Sequence, residues 1–174
     1  LCDRRQRQMC IRDRVIKNID PRFFKVAVMD EPTEEENRKP FLYRHFVKIP
    51  EAGKFVFMDS GWMSEVTKQK LSGELSDEDY KKRVESIKRF ERQLTDNGYL
   101  LLKFFFNIDK KEQKKRLNKL KEDKNTKWRV SAYDKWQNKH YEECFDVYDQ
   151  YLCDTDHSSA PWYICLLYTS DAAD

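Results

Sequence analysis

Apolar residues in this chain fall into short blocks, separated by longer polar stretches that carry helical spacing. The first block, Phe24–Met29 (F-K-V-A-V-M), is β-rich and predicts a strand, entered from a helix tail over Val15–Asp20 that Pro21 stops. The second, Phe55–Met58, is the apolar run that a buried parallel strand shows, with Asp59 at its C-terminal end. Tyr99–Phe106 (Y-L-L-L-K-F-F-F) is the strongest strand signal, and Trp162–Ile164 predicts a short last strand.

Between these blocks the period changes. Pro40 suits the first position of a helix that runs to Ile49 before Pro50, with Phe41, Leu42, His45, Phe46 and Ile49 toward the core and Arg44 and Lys48 elsewhere. His45, among apolar neighbours, reads as a hydrogen-bonded packing residue. Asp30–Lys39 reads as a polar loop. Ser76 can cap a long helix in which Tyr80, Val84, Ile87 and Leu94 recur at helical spacing, ended by Asn97-Gly98. Asp109 opens a helix with a heavily basic surface, and Ser131 caps a last long helix through Tyr151. Strands alternating with helices predict an α/β fold, a parallel sheet flanked by helices. No internal repeat is evident.

The two ends are unlike the body. DNA that encodes Cys165–Ser170 (C-L-L-Y-T-S) has a reverse complement that, shifted in frame, encodes Met9–Asp13 (M-C-I-R-D). Such an inverted pair is the mark of transposon-end or adapter DNA read as coding sequence. The expected organisation is a foreign flank over Leu1–Arg14, one partial domain over Val15–Ile164, and a foreign flank over Cys165–Asp174. About 150 residues are enough for one domain with a sizeable core.

Of five cysteines, Cys2, Cys10 and Cys165 go with the flanks. Cys144 and Cys153 make no disulfide framework and no metal-ligand spacing, which favours a reducing, cytoplasmic setting. No apolar run approaches the roughly 18 residues of a membrane span, and the basic start lacks the apolar stretch of a signal peptide. Without the flanks the chain has 29 basic and 27 acidic residues. That is not the one-sided balance of a nucleic-acid binder.

Two features carry chemistry. In open α/β sheets, ligands bind just beyond the carboxyl ends of strands, and an acid there suits a magnesium-holding carboxylate. Asp59 stands at such a point, although a strand followed by an Asp-Ser-Gly turn is sufficient structural reason for it. Between Lys110 and Arg129 lie eight lysines and two arginines. The bland reading is a solvated helix face; the sharper one is a mobile basic lid that clamps phosphates. Arg116 and Arg129 rank first there, because a guanidinium fork binds phosphate in a bidentate manner. Trp128 reads as a lid anchor in preference to a stacking surface.

The succession I-D-P-R (Ile19–Arg22), P-T-x-E-E, P-F-L-Y-R, I-P-x-x-G, strand-Asp, F-E-R-Q-L, K-K-E-Q-K-K-R-L, W-R-V-S and A-P-W-Y resembles the polyphosphate kinase 2 family, most of all its tandem-domain polyphosphate:AMP phosphotransferase members. The resemblance covers nearly all of Val15–Ile164. It implies a P-loop-kinase-like α/β fold with a helical basic lid, and phosphoryl transfer between inorganic polyphosphate and a nucleotide (AMP/ADP) with Mg²⁺. On it, Asp59 matches the Walker B aspartate and metal carboxylate, Arg44 the arginine of P-F-L-W-R, and Arg116 the arginine entering the lid. Lys115, Lys127 and Arg129 match phosphate-binding lid positions. It also implies a second homologous domain and a homo-oligomer, and neither membrane nor nucleic acid as partner.

Two departures matter. The phosphate-cradling G-x-x-x-x-G-K belongs just before Val15, and the sequence has none, so the strand that bears it is expected to be missing and the fragment inactive. The usual D-R-S-W-Y is here D-S-G-W-M, with Ser60, Gly61 and Met63 in place of Arg, Ser and Tyr, as in the first copy of tandem-domain members. A non-catalytic scaffold or regulatory half is therefore the alternative. A basic RNA-binding module is a third reading; it requires exposed aromatic platforms beside the basic stretch.

Overall fold

Asp20 turns the chain into its first strand: its side chain accepts from Arg22 N (2.9 Å), and Pro21 starts a single 3₁₀ turn over Pro21–Phe23. The computed structural model describes residues 16–29, 31–122 and 124–166. β1 (Phe24–Val28) pairs in parallel with β2 (Phe55–Asp59), Phe24 opposite Phe55 and Val28 opposite Asp59. β3 (Lys103–Asn107) pairs in parallel with β4 (Trp162–Leu166), Lys103 opposite Trp162. Among the described residues these are two separate two-stranded sheets.

The stretch expected to be a polar loop contains α1 (Glu34–Asn37). Thr33 Oγ1 accepts from Glu36 N, and Glu36 Oε2 accepts from Thr33 N, a reciprocal cap that three glutamates in the first turn reinforce. The helix expected over residues 40–49 shortens to the single turn α2 (Tyr43–Phe46). Three-residue bonds, Tyr43 N to Pro40 O and Ile49 N to Phe46 O, tighten both of its ends. Directly after β2 comes α3 (Gly61–Leu71), which the hydrophobic pattern does not announce. α4 (Asp77–Asp96) has the expected Ser76 cap, its Oγ accepting from Asp79 N. β3 begins later than the apolar block does, because Tyr99 and Leu101 are spent on packing against the core while Leu100 is exposed. Then follow α5 (Lys110–Glu122), α6 (Ala132–Lys139) and α7 (Tyr141–Thr155). The last two, expected as one helix, part at His140, whose backbone (φ −102°, ψ 36°) leaves the helical region.

One core joins these parts: Trp62 and Val66 of α3, Val84, Ile87 and Phe90 of α4, and Tyr151 of α7, with Met58 and Trp162 bringing in the two sheets. At its centre Glu91 is fully buried. Trp62 Nε1 donates to one carboxylate oxygen (2.9 Å), and Lys103 Nζ and His157 Nε2 donate to the other (2.8 Å each). Lys103 Nζ also donates to Thr155 O (2.8 Å). Burial holds the Lys103 ammonium below the ordinary lysine range, with Glu91 and Asp156 working against that shift.

A buried ion pair is costly to break from one side. Lys103→Met is expected to lower unfolding stability by about 3–5 kcal/mol, whereas Lys103→Met combined with Glu91→Leu should cost clearly less. Urea midpoints at unchanged slope measure both. A double variant as unstable as the single one would contradict the pairing.

Candidate phosphate-binding site

Asp59 is the last residue of β2, half-buried at the carboxyl end of the strand. Ser60 follows in the left-handed region (φ 69°), then Gly61 (φ 42°) starts α3. A serine at positive φ stores backbone strain, which concentrates at functional turns. Trp62, bonded to Glu91, fixes the turn from the other side.

Arg44 is buried, at 8 % exposure. Its Nε lies 3.8 Å from Glu36 Oε2 and its Nη1 3.6 Å from Glu65 Oε2, so it is held toward α1 and toward α3, the helix that Asp59 leads into. His45 is fully buried beside it, edge-on to Trp62 with ring centroids 5.7 Å apart and its Nε2 3.6 Å from Glu65 Oε2. It packs as expected, but a carboxylate rather than a close hydrogen bond faces it. Glu36 and Glu65 are the site residues that sequence reasoning missed. Glu36 stands in P-T-x-E-E, yet nothing in the sequence shows that it reaches Arg44.

The basic stretch divides in two. On α5, Gln113, Arg116 and Leu117 are buried, while Lys111, Lys114, Lys115 and Lys119 are exposed. Arg116 Nε donates to Glu112 Oε1 within its own helix. The helix is tied down: Asn138 Nδ2 donates to Gln113 Oε1 (2.8 Å), and Tyr141 Oη donates to Ile108 O (2.7 Å) just before it. Lys115 lines an open depression of about 520 Å³ with Lys110, Lys111, Glu112, Tyr141 and Glu142. Lys127 is exposed in a 3₁₀ turn over Lys127–Arg129; the Arg129 side chain lies outside the described residues. Trp128, expected to anchor this segment, is instead 77 % exposed, its Nε1 donating to Asn125 O within the same turn. Its indole is satisfied locally, so the ring need not enter the core.

Among the described residues no three His, Cys, Asp or Glu side chains cluster closely enough to cage a metal ion. A single carboxylate at a strand end fits a Mg²⁺ that is shared with phosphates and water, and does not fit one that the protein holds alone. No described helix is long and apolar enough to cross a membrane.

Residues 8–171 match the family model described as Polyphosphate kinase 2 (PPK2). The chain is 31% identical to a polyphosphate:AMP phosphotransferase of Pseudomonas syringae over 84% of its own length and 29% of that protein's. It is 28% identical to an ADP-polyphosphate phosphotransferase of Rhizobium meliloti, covering 87% of this chain and 53% of the relative. The crystal structure of a polyphosphate kinase 2 from Arthrobacter aurescens superposes with a TM-score of 0.85 at 28% identity, covering 89% of this chain and 55% of that one. The chain thus spans between about a third and a half of the length of the relatives it matches.

Glu65→Gln takes a counter-charge from a buried guanidinium, with an expected cost of about 1–3 kcal/mol. Glu35→Gln, at the exposed Glu35–Lys39 pair, should stay within about 0.5 kcal/mol. Equal urea midpoints for the two variants would show that Glu65 does not support Arg44.

Proposed function

The chain belongs to the polyphosphate kinase 2 family, and from that premise we propose that it is the phosphate-gripping part of a polyphosphate:nucleotide phosphotransferase of the polyphosphate:AMP type. The observation that carries this reading is a shared rim. Tyr99 Oη, ahead of β3, donates to Pro50 O, ahead of β2 (3.0 Å), so the two strands start at the same end. From that contact we infer that they also finish at the same end, where β2 would deliver Asp59 and β3 the chain into basic α5. An acid and a cationic helix at the carboxyl rim of parallel strands are what a chain of phosphates bound through a shared cation requires.

Arg44, Arg116 and Arg129 would place bidentate forks on phosphate oxygens, and Lys115 and Lys127 would neutralise the remaining charge. Asp59 would hold Mg²⁺, which when bound bridges phosphate oxygens and offsets their charge. Because phosphoryl transfer is catalysed almost entirely by positioning and electrostatics, these residues need no covalent role. No G-x-x-x-x-G-K occurs ahead of Val15, where the resemblance places it, which supports a fragment that grips phosphate without turning over. A reducing, cytoplasmic setting is part of the proposal, and Cys144 and Cys153, neither in a disulfide, agree with it. A second homologous domain and a homo-oligomer complete the proposal. Ser60 and Gly61 beside Asp59 favour one further reading, that of a non-catalytic scaffold half supporting an active partner domain.

The purified chain is expected to form no ADP from AMP, polyphosphate and Mg²⁺, yet to bind polyphosphate with a dissociation constant that weakens steeply as salt rises. Arg116→Ala should weaken that binding about tenfold. Any ADP formation would overturn the inactivity, and no binding at low salt would remove the reading altogether. In a protein with an intact phosphate loop, Asp59→Asn is expected to cut Mg²⁺-dependent turnover by two orders of magnitude or more; an unchanged rate assigns this domain to the scaffold role.

A further inference from the structure

The end of α4 holds two mutually reactive groups side by side. Of the seven asparagines in the chain, Asn97 is the one followed by glycine, and Asn97 and Gly98 are both exposed. Gly98 stands at φ 83°, the left-handed position that glycine adopts without steric penalty. Its N–H donates to Thr95 O (3.0 Å) and the Tyr99 N–H to Leu94 O (3.1 Å), the paired bonds of a Schellman ending. Tyr99 also packs against the core that Leu94 belongs to, and its Oη donates to Pro50 O (3.0 Å). The Asn97 side chain is turned back on the helix, Nδ2 donating to Gln93 O (2.7 Å).

In such a pair the backbone nitrogen of the glycine can attack the side-chain Cγ of the asparagine and close a five-membered ring. At the other six asparagines the next residue is Ile, Arg, Lys or Thr, whose side chain crowds that approach. In the folded chain both groups are occupied, the Gly98 N–H with Thr95 O and the Asn97 amide with Gln93 O. Both bonds lie in the last turn of α4, and helix ends are where local opening costs least. The cap requires a glycine, and the same glycine leaves the asparagine before it labile.

We propose that Asn97 is a site of spontaneous deamidation, gated by opening of the last turn of α4. When the turn opens, Gly98 N bonds to Asn97 Cγ and the Cγ–Nδ2 bond breaks. The proton lost by Gly98 N leaves with the amide nitrogen as ammonia. Water then opens the ring, at Cγ to give aspartate or at the backbone carbonyl to give isoaspartate. Either product sets a new carboxylate beside Asp96 at the negative end of the helix dipole, and the donor to Gln93 O is gone. Isoaspartate also routes the main chain through Cβ, one atom longer, so Gly98 and Tyr99 no longer hold both bonds of the cap. Tyr99 is thereby drawn off Pro50, and the entry to β3 comes untied from the start of β2. The reaction needs only water and stands whatever the catalytic role.

The purified 174-residue chain is incubated in mildly alkaline buffer, and peptide mapping by mass spectrometry, with aspartate and isoaspartate separated by chromatography, follows Asn97 over time. The folded chain should convert at least about tenfold more slowly than the chain unfolded in urea, and by the factor that hydrogen exchange is slowed at the Gly98 and Tyr99 amides. Tyr99→Phe, which removes the bond to Pro50 O, should speed conversion about fivefold, the effect of one such hydrogen bond on an opening equilibrium. Asn97→Gln should abolish it, and the other six asparagines should stay intact. The purified isoaspartate form should unfold at lower urea than the parent. Conversion as fast folded as unfolded, conversion limited by global unfolding, or equal rates for Tyr99→Phe and the parent would overturn the gate. No conversion of Asn97 in the folded chain, or earlier conversion of another asparagine, would remove the site. An isoaspartate form with the parent's urea midpoint would remove the structural consequence.

Discussion

The buried carboxylate of Glu91 ties three separate stretches of this chain together. It receives Trp62 from α3, Lys103 from the first position of β3 and His157 from the turn before β4, all within 2.9 Å. The two sheets share no ladder, so their relative placement rests on helices and on this group. A buried ion pair is weak support for stability in itself, because desolvation offsets its attraction. Its use here is geometric. Glu91 joins the helix that follows the first sheet to the first residue of β3 and to the turn before β4, and Lys103 extends the link by donating to Thr155 O, while Trp162 Nε1 donates to Thr155 Oγ1. An apolar core alone would tolerate a slide of one sheet against the other; three directed hydrogen bonds would not.

That placement decides what stands at the carboxyl rim. Trp62 is only three residues beyond Asp59, so the bond that seats its indole on Glu91 also seats the strained turn at Ser60. On the other side, Lys103 starts the strand that ends at Asn107 and passes into basic α5. The rim acid and the basic helix are thus positioned from one point, the acid by Trp62 just beyond it and the helix by Lys103 at the far end of the strand that leads to it.

The strands were legible because each is a contiguous apolar block, and the capped starts of α4 and α6 because Ser76 and Ser131 stand where a cap must. What was not legible follows from pairing across the chain. α3 buries Trp62, Val66 and Thr67 around the half-buried Glu65, a mixture with little amphipathic contrast, so the pattern is silent. α1 owes its existence to a reciprocal cap rather than to apolar spacing. The break at His140 accompanies a stack of its ring on Trp136, 4.7 Å between centroids, a local contact that helical periodicity does not report. Arg44 stood out in the sequence as a functional arginine. That Glu36 and Glu65 hold it inside the fold required the fold itself.

Those two carboxylates also bear on how a phosphate would be gripped. A guanidinium at 8 % exposure needs counter-charge, and Arg44 has it at 3.6 and 3.8 Å, longer than the 2.7–2.9 Å of a close charge-assisted bond. Arg116 differs: its partner Glu112 is one helical turn away on the same helix, so the pair moves as a unit. On the proposed function, a phosphate approaching Arg44 would meet an arginine already desolvated and oriented. Preorganisation of this kind puts the cost of burying the charge into folding rather than into binding. The two carboxylates sit on different elements: Glu65 on α3, which is anchored in the core through Trp62 and Val66, and Glu36 on α1, where the reciprocal cap with Thr33 holds its carboxylate.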